Sequence, residues 1–365
     1  RHNVTYAVLR VLSGFAISFA NAYWLTNYAD AIYELLRLAA VYFVVANACV
    51  TKRATKTVLW WYFILTASLV FFSVNGYYHG IRQYRMGIWR AVGPGSSYAD
   101  PNSHAASVIY ALPLLYHYAL YTKRKAIRIS LAVISLFGIW NIVITGSRTA
   151  MVSFLALALF TVLRRRGRRW LYLLAMVLFL IGTLVVMPTQ YKQRFESVTD
   201  VSSDTGAAES ARGRWEGFRD GMIMLGRSPV TGIGLGCYGI YRGSEMNCWF
   251  QAHSLYGELL GETGIVGGVA FLMFLVTIVR TARDVIRRAK TLPNPEESRL
   301  YQHVAEGLLG AYLLLVVQGL GGHNLLRYNW FFLAAIVISV HRQVTDRATA
   351  DQSTEPQPRG DAFRA

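Results

Sequence analysis

The chain has 365 residues, of which 54% are hydrophobic, 13% aromatic and only 16% charged. It is too apolar and too sparsely charged for an ordinary soluble domain, so the composition excludes a soluble enzyme. The 37 Lys and Arg residues against 20 Asp and Glu residues give a net charge of +17, but the excess is divided among short runs between apolar segments. That distribution is typical of the positive-inside pattern of membrane proteins, and we expect no nucleic-acid partner.

Ten apolar runs have the length that a helix needs to cross about 30 Å of hydrocarbon. They lie near residues 5–23, 33–50, 57–75, 105–121, 127–145, 149–163, 170–188, 264–281, 303–321 and 327–341. Every second connection is basic, which predicts that these connections are cytoplasmic and that the others lie outside. The predicted fold is therefore an all-α polytopic membrane protein with about ten visible transmembrane helices.

The predicted organisation has four parts. Residues 1–188 hold transmembrane helices 1–7 with an external loop at 76–104, residues 189–263 form a large and partly helical external loop, residues 264–342 hold helices 8–10, and residues 343–365 form a disordered tail. Both termini are expected in the cytoplasm. Because the first residue is Arg1 rather than Met, we also expect that one or two further spans precede it.

The external loop at 76–104 alternates basic and aromatic residues, with Arg82, Arg85 and Arg90 spaced among tyrosines and a tryptophan. One interpretation is an interfacial segment, in which the aromatic rings lie at headgroup level and the arginines reach lipid phosphates. The other is a shelf that binds an anionic, lipid-linked substrate. Both interpretations are compatible with one surface.

Almost no loop separates the fifth and sixth predicted spans, so Arg148 lies at an external membrane boundary. Arginines at such boundaries sometimes only extend to the lipid headgroups. Arg148, however, begins a helix whose unpaired N–H groups also attract an anion. We therefore favour a phosphate site.

Within the large loop, apolar residues from Trp215 to Leu225 recur at helical spacing and predict a short amphipathic helix on the bundle or membrane surface. Three arginines flank its apolar stripe, namely Arg212, Arg214 and Arg219. Because Glu216 and Asp220 are near enough to neutralise some of this charge, a solvated helix face remains the alternative. We interpret the following Thr-Gly-Ile-Gly-Leu-Gly segment, residues 231–236, as a turn that permits close backbone approach.

His253 precedes the eighth predicted span and lies close to the external arginines. Imidazole titrates near neutrality, so this residue suits general-base chemistry on an anionic substrate, although a structural histidine is the alternative. Glu258 and Glu262 follow on one helix face, where they orient His253, pair with an arginine or cap the span. His323 and Arg327 complete the predicted external face.

Cys237 and Cys248 lie eleven residues apart in the same external loop and form a candidate disulfide that would brace it. Linear metal and nucleophile motifs such as His-Glu-x-x-His and Gly-x-Ser-x-Gly are missing from the sequence. We therefore expect neither a metal nor a cofactor. A reaction at this face then depends on arginines that stabilise a charged leaving group and on a base that activates the acceptor.

Together these features resemble the bacterial O-antigen ligase family, which is grouped with O-antigen polymerases and protein O-oligosaccharyltransferases as membrane glycosyltransferases, usually with twelve spans. The resemblance covers about residues 76–340. It rests on Asp100-Pro101-Asn102, on Gly146-Ser147-Arg148, on the arginine-bearing helix with its Pro-x-x-Gly-Ile-Gly-x-Gly sequence, and on His253 through Glu262-Thr263-Gly264. This chain has Ser254 where the family usually has asparagine.

The resemblance implies metal-independent transfer, with inversion, of an O-antigen glycan from undecaprenyl pyrophosphate to a sugar hydroxyl of lipid A-core. This step would complete lipopolysaccharide at the periplasmic face of the bacterial inner membrane. The implied catalytic residues are Arg148, Arg214 and His253. A second tier of substrate-binding candidates comprises Arg82, Arg85, Arg90, Asn102, Arg212, Arg219, Glu258 and Arg327. The alternatives are a polysaccharide polymerase of the same superfamily or, in a different class, a lipid or polysaccharide transporter.

Overall fold

The computed structural model describes residues 3–164 apart from Met86, Ser96 and Ser97, then residues 205–354, with isolated residues between 167 and 191. These ranges hold eleven α-helices and one two-stranded β-hairpin. The helices are α1 (Asn3–Ala16, continued by a 3₁₀ turn, Ile17–Asn21), α2 (Leu25–Ala48), α3 (Lys52–Tyr78), α4 (Pro101–Tyr121), α5 (Lys125–Thr145), α6 (Arg148–Arg164), α7 (Thr205–Arg227), α8 (Tyr238–Met246), α9 (Leu255–Ala289), α10 (Pro295–Gln318) and α11 (Tyr328–Thr354).

Five helical segments are long and apolar enough to cross a membrane: α1 with its 3₁₀ turn, α3, α5, α9 and α10. Four further predicted spans coincide with α2, α4, α6 and α11. The seventh, at 170–188, lies outside the described residues. The predicted all-α, multi-pass membrane fold is confirmed.

Two predicted boundaries are wrong, because hydropathy detects only the apolar part of a helix. α2 begins at Leu25 rather than near residue 33, since Tyr28, Ala31 and Leu35 continue a buried stripe through its polar first turns. α11 continues to Thr354, although a disordered tail was predicted from residue 343. Gln343 secures this extension by donating to the carbonyl of Cys49 at 2.7 Å.

The loop predicted at 76–104 is largely structured. Strands β1 (Arg82–Arg85) and β2 (Ile88–Ala91) form an antiparallel hairpin that follows directly on α3. α4 then begins at Pro101, where Asp100 caps the helix by accepting a hydrogen bond from the Ser103 amide at 2.8 Å. The hairpin therefore stands above the helix ends instead of lying as an irregular loop.

Glycines set the closest contact between the amphipathic helix α7 and the start of α9. A Cβ atom on Gly217 would lie 1.7 Å from the carbonyl oxygen of Ala252, and one on Gly221 would lie 2.3 Å from that of Gly257. Gly257 and Gly261 face them from α9, so each helix contributes a Gly-x-x-x-Gly pair and the two backbones touch. This contact fixes α7 over the N-terminal end of α9.

The glycine-rich segment at 231–236 forms the predicted close-approach turn. α9 is kinked at Gly264, which has φ 62° and ψ −163°. The amides of Ile233 and Gly234 donate to the carbonyls of Gly261 and Glu262 at this kink, each at 3.0 Å. A side chain on Gly232 would collide with the backbone of Glu262, so only glycine fits there.

Candidate active site

A cavity of about 520 Å³ opens where α5 ends at Thr145 and α6 begins at Arg148, which we call the cavity end of the bundle. Its walls come from the hairpin, the starts of α4 and α6, helix α7, the segment between α8 and α9, and the α10–α11 loop. The lining residues are Arg85, Arg90, Asn102, Arg148, Arg212, Gly213, Arg214, Glu216, Arg242, Cys248, Phe250, His253 and Gly321. The structure thus brings the three predicted catalytic residues into one cavity.

Arg148 owes its position to the tight turn between two helices. Gly146 ends α5 in the left-handed conformation with φ 58°, and α6 starts two residues later. The Arg148 side chain is only 7% exposed. The N-terminus of α6 adds its own partial positive charge at the same place, which favours an anion.

Arg214 and His253 approach each other because of the glycine contact between α7 and α9. Arg214 lies one turn before Gly217, and His253 lies next to Ala252, whose carbonyl faces Gly217. Burial, and after it the nearby Arg148, lower the pKa of the Arg214 guanidinium. Arg214 forms no ion pair among the described residues, and it lines the same cavity as Arg148.

His253 has a backbone conformation that is uncommon for a residue with a side chain, with φ 47°. Its ring lies 5.4 Å from that of His323, measured between centroids. Burial lowers the pKa of His253, and the positive charge of Arg214 lowers it further, while Asp100 acts in the opposite direction. These effects favour the neutral ring, which is the form that can accept a proton.

Four of the second-tier candidates line the cavity, namely Arg85, Arg90, Asn102 and Arg212. Arg90 is fully buried and donates to the Thr145 carbonyl at 2.6 Å and to the Asn102 side chain at 2.7 Å. It thereby joins the hairpin to α4 and to the turn that carries Arg148. Arg85 pairs with Asp100 at 3.3 Å, and Arg212 pairs with Glu216 at 2.7 Å.

The other second-tier candidates lie outside the cavity lining. Arg82 stacks on the Trp89 ring, with its guanidinium carbon 4.7 Å from the ring centroid. Arg219 pairs with Asp220 at 3.0 Å and faces outward. Arg327 donates to Ser107 at 3.3 Å. These contacts give each of the three arginines a local role in holding the cavity end together.

The carboxyl groups of Glu258 and Glu262 both accept hydrogen bonds from the backbone. Glu262 accepts hydrogen bonds from the amides of Gly236 and Tyr238, each at 2.9 Å, and so holds the glycine-rich turn on α9. The buried carboxyl of Glu258 takes a hydrogen bond from the backbone of Leu325. These contacts do not show either glutamate orienting His253 or pairing with an arginine, which were two of the predicted alternatives.

The candidate disulfide between Cys237 and Cys248 is not formed, and both residues are free thiols. Cys237 immediately precedes α8 and Cys248 follows it, so a helix of nine residues separates them. Such a helix is about 13 Å long, whereas bridged cysteines have Cα atoms within about 7 Å. The Cys237 thiol is instead buried against the Trp24 carbonyl at 3.4 Å.

Sequence reasoning missed Arg242, which lines the cavity from α8. Its buried guanidinium pairs with Asp220 of α7 at 2.7 Å and donates to the Phe250 carbonyl at 3.1 Å. Gly321 was missed as well: a Cβ atom there would lie 2.7 Å from Thr149 and 3.1 Å from the Arg214 side chain. Neither residue belongs to a linear motif, and only the pairing of elements distant in sequence reveals them.

The cavity is strongly cationic. Six arginines line it, against a single carboxylate, Glu216. Two of these arginines, Arg85 and Arg242, pair with acids outside the lining, and the remaining positive charge suits a phosphate or pyrophosphate, which arginine binds through charge-assisted, often bidentate hydrogen bonds. The imidazole of His253 adds a group that can accept a proton.

Comparison with known proteins gives one family. The sequence model described as O-antigen ligase matches residues 131–272, a segment that contains Arg148, Arg214 and His253. A chain in a solved structure described as "Structural coordination of polymerization and crosslinking by a peptidoglycan synthase complex" aligns with a TM-score of 0.49 and 15% identity, covering 93% of this chain and 97% of that chain. No curated protein matches the sequence. The resemblance inferred from the sequence is thereby confirmed: residues 131–272 of this multi-pass membrane protein are similar to the O-antigen ligase family.

Proposed function

We propose that the protein is an O-antigen ligase: it transfers an O-antigen glycan from undecaprenyl pyrophosphate to a sugar hydroxyl of lipid A-core. One observation carries this proposal. Arg148 and Arg214 line the same cavity, and after burial the positive charge of Arg148 lowers the pKa of the Arg214 guanidinium. A bound pyrophosphate dianion would offset the repulsion between these two cations, and the match to the O-antigen ligase model supports a lipid-linked glycan as the donor.

The arginines act on the leaving group. As the bond between the anomeric carbon and the pyrophosphate oxygen breaks, negative charge grows on that oxygen. Arg148 and Arg214 stabilise this charge, and the N-terminus of α6 adds to the effect. Because the guanidinium groups are held in place before the reaction, little reorganisation is needed during it.

His253 acts on the acceptor. Its neutral ring takes the proton of the attacking lipid A-core hydroxyl while the oxygen forms the new glycosidic bond. A single displacement of this kind inverts the anomeric configuration. The lowered pKa of His253 keeps the ring in its proton-accepting form at neutral pH.

Exposed aromatic residues at the cavity end support lipid-linked substrates. Trp249 and Phe250 are each 70% exposed, and Phe250 belongs to the cavity lining. Trp215 on α7 is also exposed. Aromatic rings of this kind lie at the membrane interface, where they contact headgroups and the first part of an acyl or prenyl chain. The active site would then face the periplasm at the outer leaflet of the inner membrane.

The test is transfer in vitro. Purified protein is mixed with undecaprenyl pyrophosphate-linked glycan and lipid A-core in the presence of EDTA, and lipopolysaccharide is resolved on a gel. We expect ligated product with the wild type and none with His253→Ala. His79→Ala is the matched control, because His79 follows α3 at the same end but does not line the cavity.

Other outcomes separate the alternative functions. Elongation of the donor glycan without use of lipid A-core would contradict the ligase and identify a polymerase. Donor binding without any product, together with movement of the donor across a proteoliposome membrane, would identify a transporter. Equal product from wild type and His253→Ala would remove the general-base role.

A further inference from the structure

A second cluster of ionisable residues lies away from the cavity. It consists of His117 on α4 with His303 and Glu306 on α10, and we call it the His-Glu cluster. The Glu306 carboxylate oxygen lies 3.2 Å from Nδ1 of His117 and 3.8 Å from Nδ1 of His303. One potential ligand atom from each residue lies within 4.8 Å of the other two. The cluster lies in the half of the bundle where α4 ends at Tyr121 and α10 begins at Pro295.

Close helix packing holds these three residues together. Gly307 and Gly310 let the α10 backbone approach α4: a Cβ atom on Gly307 would lie 3.1 Å from the Cα of Leu114, and one on Gly310 would lie 2.8 Å from the Pro113 ring. His117 follows Pro113 by one helical turn, and Glu306 adjoins Gly307. The cluster is therefore built on two rigid helices in direct backbone contact, which is the setting that a preorganised site needs.

The donor set suits a metal ion. Two imidazoles and one carboxylate are a common ligand set for Zn²⁺ and other divalent transition metals, and three protein ligands leave a further coordination position open. Tetrahedral coordination at about 2.0–2.2 Å puts ligand atoms roughly 3.4 Å apart, close to the separations in the cluster. The three side chains are 13%, 23% and 31% exposed, so an ion has access.

We propose that His117, His303 and Glu306 bind one divalent transition-metal ion, for which Zn²⁺ is the probe, and that this ion fastens α4 to α10. Arg164 at the end of α6 lies 4.0 Å from the other Glu306 carboxylate oxygen. It thereby orients the carboxylate, leaving one oxygen toward the histidines. The site is distinct from the proposed transfer site. Because its ligands come from two helices, no linear metal-binding motif in the sequence indicates this site.

The competing explanation is a simple ion-pair network, in which Glu306 is neutralised by Arg164 and by protonated histidines. Metal binding distinguishes the two. The full chain, carrying no polyhistidine tag, is stripped with EDTA in detergent, exchanged into chelator-free buffer at pH 7.5 and titrated with Zn²⁺. Bound metal is counted by mass spectrometry, and the melting temperature is followed in parallel.

We expect one equivalent of Zn²⁺ and a higher melting temperature with the metal than without it. Glu306→Gln keeps the side-chain volume. This variant and the double variant His117→Ala/His303→Ala should each bind Zn²⁺ at least tenfold more weakly, and Zn²⁺ should no longer raise their melting temperatures. His341→Ala is the matched control and should behave as wild type, because His341 has a single carboxylate partner, Asp284, at 3.1 Å.

Two results would overturn the proposal. One is a wild type that binds no more Zn²⁺ than the double variant. The other is a Glu306→Gln protein that elutes as folded material and keeps wild-type affinity. Neither result bears on glycan transfer, so the metal site and the proposed function fail or stand separately.

Discussion

The two ends of the helical bundle carry positive charge in different ways. At the end where α4 stops and α10 starts, lysines meet acids directly: Lys52 lies 3.0 Å from Glu297, and Lys56 lies 2.9 Å from Glu296. At the cavity end, six arginines line one cavity that has a single lining carboxylate. The first end uses charge to join helices. At the second end, Arg85, Arg212 and Arg242 have acidic partners, but Arg214 forms no ion pair among the described residues, and this is where we propose that an anionic substrate binds.

The strongest test of this contrast removes a cation from the cavity. We expect Arg148→Ala to lower the transfer rate by about 100- to 1000-fold, the usual effect of losing one group that stabilises transition-state charge. Folding should change little, because the substitution also relieves repulsion with Arg214. The rate is measured as ligated product per minute, and the fold by thermal unfolding. Wild-type turnover in Arg148→Ala would remove the pyrophosphate role.

Substitution of Arg242 tests whether some of the arginines that line the cavity stabilise the fold. Its buried ion pair with Asp220 joins α8 to α7. Replacing one partner of a buried pair leaves the other charge poorly solvated, and we expect Arg242→Met to lower the free energy of unfolding by about 3 kcal/mol. Arg219→Met is the control, because Arg219 pairs with the same acid from the surface and should cost under about 1 kcal/mol. Equal losses of unfolding free energy in Arg242→Met and Arg219→Met would contradict a structural role for the buried Arg242.

The pH dependence of transfer separates two roles for His253. As a general base, the ring must be neutral, so kcat/KM should fall about tenfold per pH unit below its pKa and stay level above it. Because burial and Arg214 lower that pKa, the plateau should extend below pH 6.5. If His253 instead held the pyrophosphate as an imidazolium, activity would rise as the pH falls. The dependence of kcat/KM on pH, measured between pH 4.5 and pH 8 for the wild type and Arg214→Lys, decides between the general-base and the imidazolium role.

The membrane fold was predictable because the length of the apolar runs identifies the spans. Arg148 and His253 were selected because they lie near predicted span boundaries, and Arg214 because of the family resemblance. The catalytic roles of all three stay predictions. The glycine contact of Gly217 with Ala252 was not predictable, since it joins segments that are 35 residues apart and glycine gives no signal in hydropathy. The disulfide prediction failed for a related reason: spacing in the sequence did not reveal that a helix separates the two cysteines.

The smallest expected effect lies at the end opposite the cavity. Lys56 donates to Glu296 in a partly exposed pair that links α3 to α10. Exposed pairs contribute about 0–1 kcal/mol, so Lys56→Met should shift the melting temperature by a few degrees at most and leave transfer unchanged. The shift should shrink further in 1 M salt, where the screening length is about 3 Å. A salt-insensitive loss of transfer in this variant would show that the two ends are coupled, and the contrast between a structural end and an anion-binding end would no longer hold.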